Sequence, residues 1–200
     1  PCYSIPQDPQ IEYLNAFQSL QAFYLTTSQS EKIPAFYITK KNAQFTLLFS
    51  HGNAEDLSTW VNFMEMSRRL DVNVFLYEYS GYGMSTGKPT EENLYADIEA
   101  AFKHLRDDLG VPWTQIVLYG RSLGTGPSCH LASRFAVRGV FLETPFMSIY
   151  RIPFHFRFTL MCDKFSSIDK VDKMHAPVAI IHGTCDKTVP CWHGQKLYEA

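Results

Sequence analysis

The sequence predicts an α/β fold: a mostly parallel sheet with an antiparallel amino-terminal edge and helices on both faces. Three observations carry that expectation. From residue 45 onward, short apolar runs of buried-strand type alternate with longer amphipathic segments, the pattern of repeated βα units. Before it, two β-rich runs, Ala22 to Thr27 and Ile33 to Thr39, flank the polar Ser28 to Lys32 as in a hairpin. Ile116 to Gly126 reads as buried strand, sharp turn and helix, with Gly120, Ser122 and Gly124 spaced two apart.

Two hundred residues, 46% hydrophobic and 14% aromatic, predict a single domain over 1–200 with a substantial core. Eighteen basic against twenty acidic residues, without a basic run, exclude the electrostatic footprint of a nucleic-acid binder. No apolar stretch approaches the roughly 18 residues of a spanning helix. The five cysteines are scattered and lack a Cys-x-x-Cys pair, which predicts a reducing, cytoplasmic setting. Histidines and cysteines nowhere show metal-ligand spacing, so neither metal nor cofactor is expected. Cys2 could carry a lipid on a longer protein. Because the chain stops at Glu199-Ala200 inside an apparent helix, it is expected to be a fragment lacking its carboxyl-terminal strand and helix.

In chain order, residues 1–20 read as edge structure, and Pro34 in the second hairpin strand suits a sheet edge. Phe45 to Phe49 is the first parallel strand, followed by Ser50-His51-Gly52-Asn53 and a helix with Leu57, Trp60, Val61, Met64 and Leu70 along one side. Val72 to Tyr79 is the next strand, leaving through the glycine-rich Gly81 to Gly87. Thr90 then caps a helix with an apolar stripe through Leu94, Ile98, Ala101, Phe102, Leu105 and Leu109, which Gly110 ends. Gly139 to Glu143 and Val178 to His182 are further strands. Between them, 144–176 reads as a short inserted, lid-like segment rich in aromatic and basic residues.

The chemistry centres on Ser122. A serine on a tight strand-to-helix turn has room only for glycine two residues before and after it, so its hydroxyl stands clear. The alternative is an ordinary turn with a capping serine. Such a nucleophile needs oxyanion donors, an acid and a base. The backbone amides of Leu123 and Asn53 are the candidate oxyanion donors, with a plain turn capped by Asn53 as the alternative reading. Asp186 is the candidate acid, against an Asx turn before Pro190, and Glu143 competes with it. Of seven histidines only His193 follows Asp186, at the apparent start of a helix, where packing or capping competes with a role as base. The base is therefore expected beyond Ala200, since a parallel crossover needs about a dozen residues. His51 is expected to brace the oxyanion loop, and His104 to face solvent.

Four motifs in order, His51-Gly52-Asn53-Ala54-Glu55-Asp56, Gly81-Tyr82-Gly83-Met84-Ser85, Gly120-Arg121-Ser122-Leu123-Gly124 and His182-Gly183-Thr184-x-Asp186, make the chain resemble the α/β-hydrolase superfamily over about residues 22–200. It looks most like the serine hydrolases that include the mammalian Ras depalmitoylases and the budding-emergence-type hydrolases. That resemblance implies an esterase or thioesterase acting on small esters, thioesters or S-acylated proteins, in some cases at membranes. The family's catalytic histidine has no counterpart here, nor does the depalmitoylases' cysteine-rich amino-terminal segment. Two other readings stay open: a non-catalytic binding protein of the same fold, and a serine peptidase. The segment Pro145 to Met161 could line an acyl pocket or touch a membrane peripherally; packing on the sheet's edge is the alternative.

Overall fold

The computed structural model describes residues 19–59, 69–153 and 162–200. The chain divides into two compact units, Pro1–Phe49 with Glu55–Ile116, and Ser50–Ala54 with Val117–Ala200. The strands are β1 (Ser19–Thr26), β2 (Lys32–Thr39), β3 (Thr46–Ser50), β4 (Asn73–Tyr77), β5 (Ile116–Arg121), β6 (Gly139–Glu143) and β7 (Val178–Ile181).

In the first unit the strands lie in the order β1-β2-β4-β3. β1 and β2 form the expected hairpin, in register from Ser19↔Thr39 to Thr26↔Lys32. Its turn is tied by Thr27, whose Oγ1 accepts from the amides of Gln29 and Glu31, 3.2 Å each. β2 pairs antiparallel with β4, and β4 parallel with β3, so the change of direction falls where the sequence pattern changes. Pro34 corrects the sequence reading: β2 has neighbours on both sides and is not an edge strand. The β2·β4 ladder starts at Ala35↔Tyr77, so Pro34 sits just past its end, where a missing N–H costs no ladder bond. Its carbonyl still accepts from the Glu78 amide, at 2.9 Å.

Helix α1 (Glu91–Lys103) starts at Thr90, whose hydroxyl accepts from the Asn93 amide, and it buries Leu94, Ile98, Ala101 and Phe102 as its stripe predicts. It widens into a π turn at His104–Asp108 and ends at Gly110, φ +69°. His104 does not simply face solvent. Its ring stands edge-on to Phe23 at 4.6 Å while Nδ1 meets Asp108 at 2.6 Å, so the side chain is largely covered. Asp97 breaks the apolar stripe. Fully buried, it accepts from the Ser80 amide (2.8 Å) and Ser80 hydroxyl (2.7 Å) and so fixes the exit of β4. Burial, reinforced by Glu31 and Glu78, outweighs those bonds and pushes its carboxyl up to about 7. The predicted helix through Trp60, Val61 and Met64 lies outside the described residues.

In the second unit β5, β6 and β7 are parallel and neighbouring in that order. Helix α2 (Thr125–Ala132) follows β5 through a single tight turn at Ser122–Gly124, and α3 (Trp192–Glu199) follows β7. Parallel pairing puts the three carboxyl ends on one edge, in the row Arg121↔Glu143↔Ile181. The two described limbs of the segment after β6 bond to each other, the Ile149 amide to Lys164 O (2.9 Å) and the Ile168 amide to Met147 O (3.2 Å). Phe146 and Phe165 in those limbs are buried. The aromatic residues Phe154, Phe156 and Phe158, on which an acyl pocket or membrane contact was expected, lie outside the described residues.

Candidate active site

The second unit holds Ser122, Leu123, Asn53, Asp186 and His193. Ser122 has φ +49°, a left-handed backbone that costs a non-glycine residue about 1–3 kcal/mol. The flanking glycines show what holds it there. A Cβ on Gly124 would stand 2.0 Å from the carbonyl oxygen of Ser50, and one on Gly120 would stand 2.6 Å from Gly124 O and from Ser128 Oγ. Two backbone segments thus meet at van der Waals distance only because no side chain intervenes. The turn is closed by Thr125 Oγ1 donating to Ser122 O (2.6 Å) and by Ser128 Oγ donating to Gly124 O (2.9 Å).

The Ser122 turn packs against the end of β3 at Ser50. Ser50 leads directly into His51-Gly52-Asn53, so the loop carrying Asn53 starts where the Ser122 turn is packed. His51 is buried, and its Nδ1 lies 2.9 Å from Gly52 O within that loop. Asn53 itself is exposed and Leu123 partly so.

Asp186 lies five residues past β7, in a tight turn. Its Oδ1 accepts from the amides of Thr188 (2.8 Å) and Val189 (2.9 Å), the Asx-type turn that a capping aspartate makes. That arrangement leaves Oδ2 on the other side of the carboxylate, 3.9 Å from His182 Nε2. His182, the predicted strand end and first residue of the fourth motif, ties the loop by donating from Nε2 to Val189 O at 2.7 Å. β6 separates β5 from β7, so the strands that lead to Ser122 and to the Asp186 loop lie about 10 Å apart, two strand spacings.

His193 is fully buried at the start of α3, stacked on Trp192 at 3.8 Å, and its Nδ1 accepts from the Met147 amide at 3.2 Å. Those are the contacts of a packing residue. Glu143, the competing acid, is engaged along its own strand edge: it accepts from Tyr119 Oη at 2.6 Å and pairs with Arg121 Nε at 3.4 Å. Cys129, on α2 behind the turn, is fully buried, and burial pushes its thiol up to about 11, so it offers no second nucleophile. A depression of about 320 Å³ lined by Lys41, Asn42, Gln44, Phe45, Leu70 and Asp71 belongs to the first unit and includes none of these residues. No described helix is long and apolar enough to cross a membrane.

Known proteins resemble this chain in sequence or in fold. A family described as Chlamydia CHLPS protein (DUF818) matches residues 35–132. The mouse alpha/beta hydrolase domain-containing protein 17C is 43% identical over 184 residues, which is 90% of this chain and 58% of that protein. The Caenorhabditis elegans alpha/beta hydrolase domain-containing protein aho-3 is 50% identical over 160 residues, 79% of this chain and 48% of that one. The chain thus spans about half to three fifths of the length of these curated relatives. Among solved structures, the Pyrococcus furiosus esterase Pf2001 superposes with a TM-score of 0.77 at 18% identity, over 100% of this chain and 83% of that one. An alpha-beta hydrolase from Vibrio vulnificus gives 0.75 at 21% identity, over 91% and 69%. At such identities the superpositions speak for the fold.

Proposed function

We propose that this chain, which has the α/β-hydrolase fold and is 43% identical to an alpha/beta hydrolase domain-containing protein, is a serine hydrolase of carboxylic esters or thioesters. The observation that carries the reading is Ser122 held at φ +49° between glycines that cannot bear a side chain. In this mechanism Ser122 Oγ attacks the acyl carbon while a histidine takes its proton, and the backbone amides of Asn53 and Leu123 hold the oxyanion. Collapse of the tetrahedral species breaks the bond to the alcohol or thiol, which leaves with that proton. Water then attacks the acyl-enzyme by the same route, releasing the carboxylic acid and restoring Ser122. Asp186 orients the histidine through Oδ2, its Oδ1 being committed to two amides.

The base in this reading is a histidine outside the 200 residues, because His193 is buried and accepts the Met147 amide. Fluorophosphonate labelling of the intact protein is the test. Ser122→Ala abolishes the label, and label that survives that change unaltered refutes the assignment. The 200 residues alone turn over esters little or not at all, since triad members act as a unit; turnover at the intact protein's rate would give the base's role to His193.

The finer reading, protein S-acyl thioesters, draws on the motif resemblance to depalmitoylases. It predicts that an S-acylated cysteine peptide is cleaved in preference to an oxygen ester of the same acyl length. Equal rates on both leave a general esterase.

A further inference from the structure

We propose that Glu143 is a positioning residue for Ser122, acting through Arg121 and Tyr119; this rests on the reading of Ser122 as nucleophile. Residues two apart on a strand share a face, so Tyr119 and Arg121 project from one side of β5, with Phe141 and Glu143 beside them on β6. The register pairs Tyr119 with Phe141 and Arg121 with Glu143, and Glu143 also reaches diagonally to Tyr119. Oε2 of Glu143 takes the Tyr119 hydroxyl at 2.6 Å, and Oε1 lies 3.4 Å from Arg121 Nε. The Tyr119 ring is also fixed by Phe141, edge-on at 4.9 Å. One carboxylate therefore grips the last two same-face side chains of β5, immediately before the chain turns at Ser122.

Both strands break at the same level and in the same way. Directly after the Arg121↔Glu143 pair, Ser122 has φ +49° and Thr144 has φ +53°. For a β-branched residue the left-handed region is an outlier that persists only where its surroundings impose it. Thr144 is imposed by its amide donating to Ile181 O at 2.8 Å, which anchors the end of β6 to β7. Glu143 is thus held from the β7 side and in turn holds β5, so strain at Ser122 cannot relax by the end of β5 swinging away. This assigns Glu143 a place beside the reaction without contact to substrate, distinct from the acid role of Asp186.

The test is the second-order rate of fluorophosphonate labelling of the intact protein, read beside its thermal midpoint. Glu143→Ala lowers the rate about tenfold, the scale on which misplacement of a reacting group by a fraction of an ångström is felt. Glu143→Gln keeps an acceptor for the Tyr119 hydroxyl and restores the rate to within about threefold at a similar midpoint. In a Tyr119→Phe, Arg121→Gln background Glu143→Ala has no further effect, because the partners it acts through are gone. Where Glu143→Ala does not fold, that double variant alone carries the test, with a loss of about tenfold expected. Label lost in Ser122→Ala but unchanged in Glu143→Ala or in the double variant overturns the positioning role alone. Equal losses in Glu143→Ala and Glu143→Gln also overturn it. Label that persists in Ser122→Ala overturns the nucleophile and this role with it.

Discussion

The exit of β4 and the exit of β5 solve the same problem by different means. Each must turn the chain sharply out of a strand. After β4, the turn is held by a buried carboxylate: Asp97 grips the amide and hydroxyl of Ser80. After β5, it is held by the absence of side chains, with Gly120 and Gly124 letting backbone press on backbone at Ser122 and Ser50. A turn held by a titratable group changes with pH. One held by steric fit does not, which suits a turn proposed to present a nucleophilic serine.

The sharpest way to break that contrast is to add one methyl group to the β5 turn. Gly124→Ala forces a Cβ to within 2.0 Å of Ser50 O, a backbone atom that cannot step aside. It is expected to abolish fluorophosphonate labelling and to cost about 3 kcal/mol or more in thermal or denaturant unfolding. Gly139→Ala, whose Cβ would meet nothing nearer than 3.6 Å, is the control and leaves both nearly unchanged.

At the β4 turn the effect is smaller and depends on pH. The Asp97 carboxyl is raised from 3.8 to about 7 by burial. Between those values the folded protein holds a proton that the unfolded chain has lost, so stability falls as pH rises from about 4 and levels off above about 7. The loss is about 4 kcal/mol at most, taking about three pH units at 1.36 kcal/mol each. Asp97→Asn removes this contribution, and unfolding measured across pH 4–8 is expected to show a flatter curve than the parent. An unchanged slope would mean that Asp97 is ionised throughout.

The smallest effect is expected from the buried titratable group of the β5 region. Cys129 lies on α2 with its thiol pushed up to about 11. Iodoacetamide at pH 8 therefore modifies the exposed Cys162 and Cys185 in the native protein and reaches Cys129 only after unfolding, as peptide mass spectrometry will show. Fast native modification of Cys129 would mean that α2 opens.

Much of the frame is legible in the sequence. The hairpin, the change to parallel strands after residue 45 and the cap at Thr90 follow from local pattern, and the structure has each of them. Pro34 misleads because its local rule, no N–H for a neighbour, does not say where a ladder ends. His104 misleads because its charged neighbours in sequence say nothing of Phe23, which β1 brings against it. At Asp186 local pattern poses turn and acid as alternatives, while the two oxygens of one carboxylate leave room for both.

The order and kind of elements and the spacing of glycines around Ser122 are properties of the sequence alone, because strand alternation, capping and steric freedom act over a few residues. What those glycines press against is a property of the folded chain. So is the grip of Glu143 on Tyr119 and Arg121, in place of a free acid, and so is the claim of the Met147 amide on His193. The contacts of Gly124 with Ser50, of Glu143 with its two partners and of His193 with Met147 join residues 22 to 74 positions apart, set by strand register and helix packing, and a local pattern has no means of encoding them.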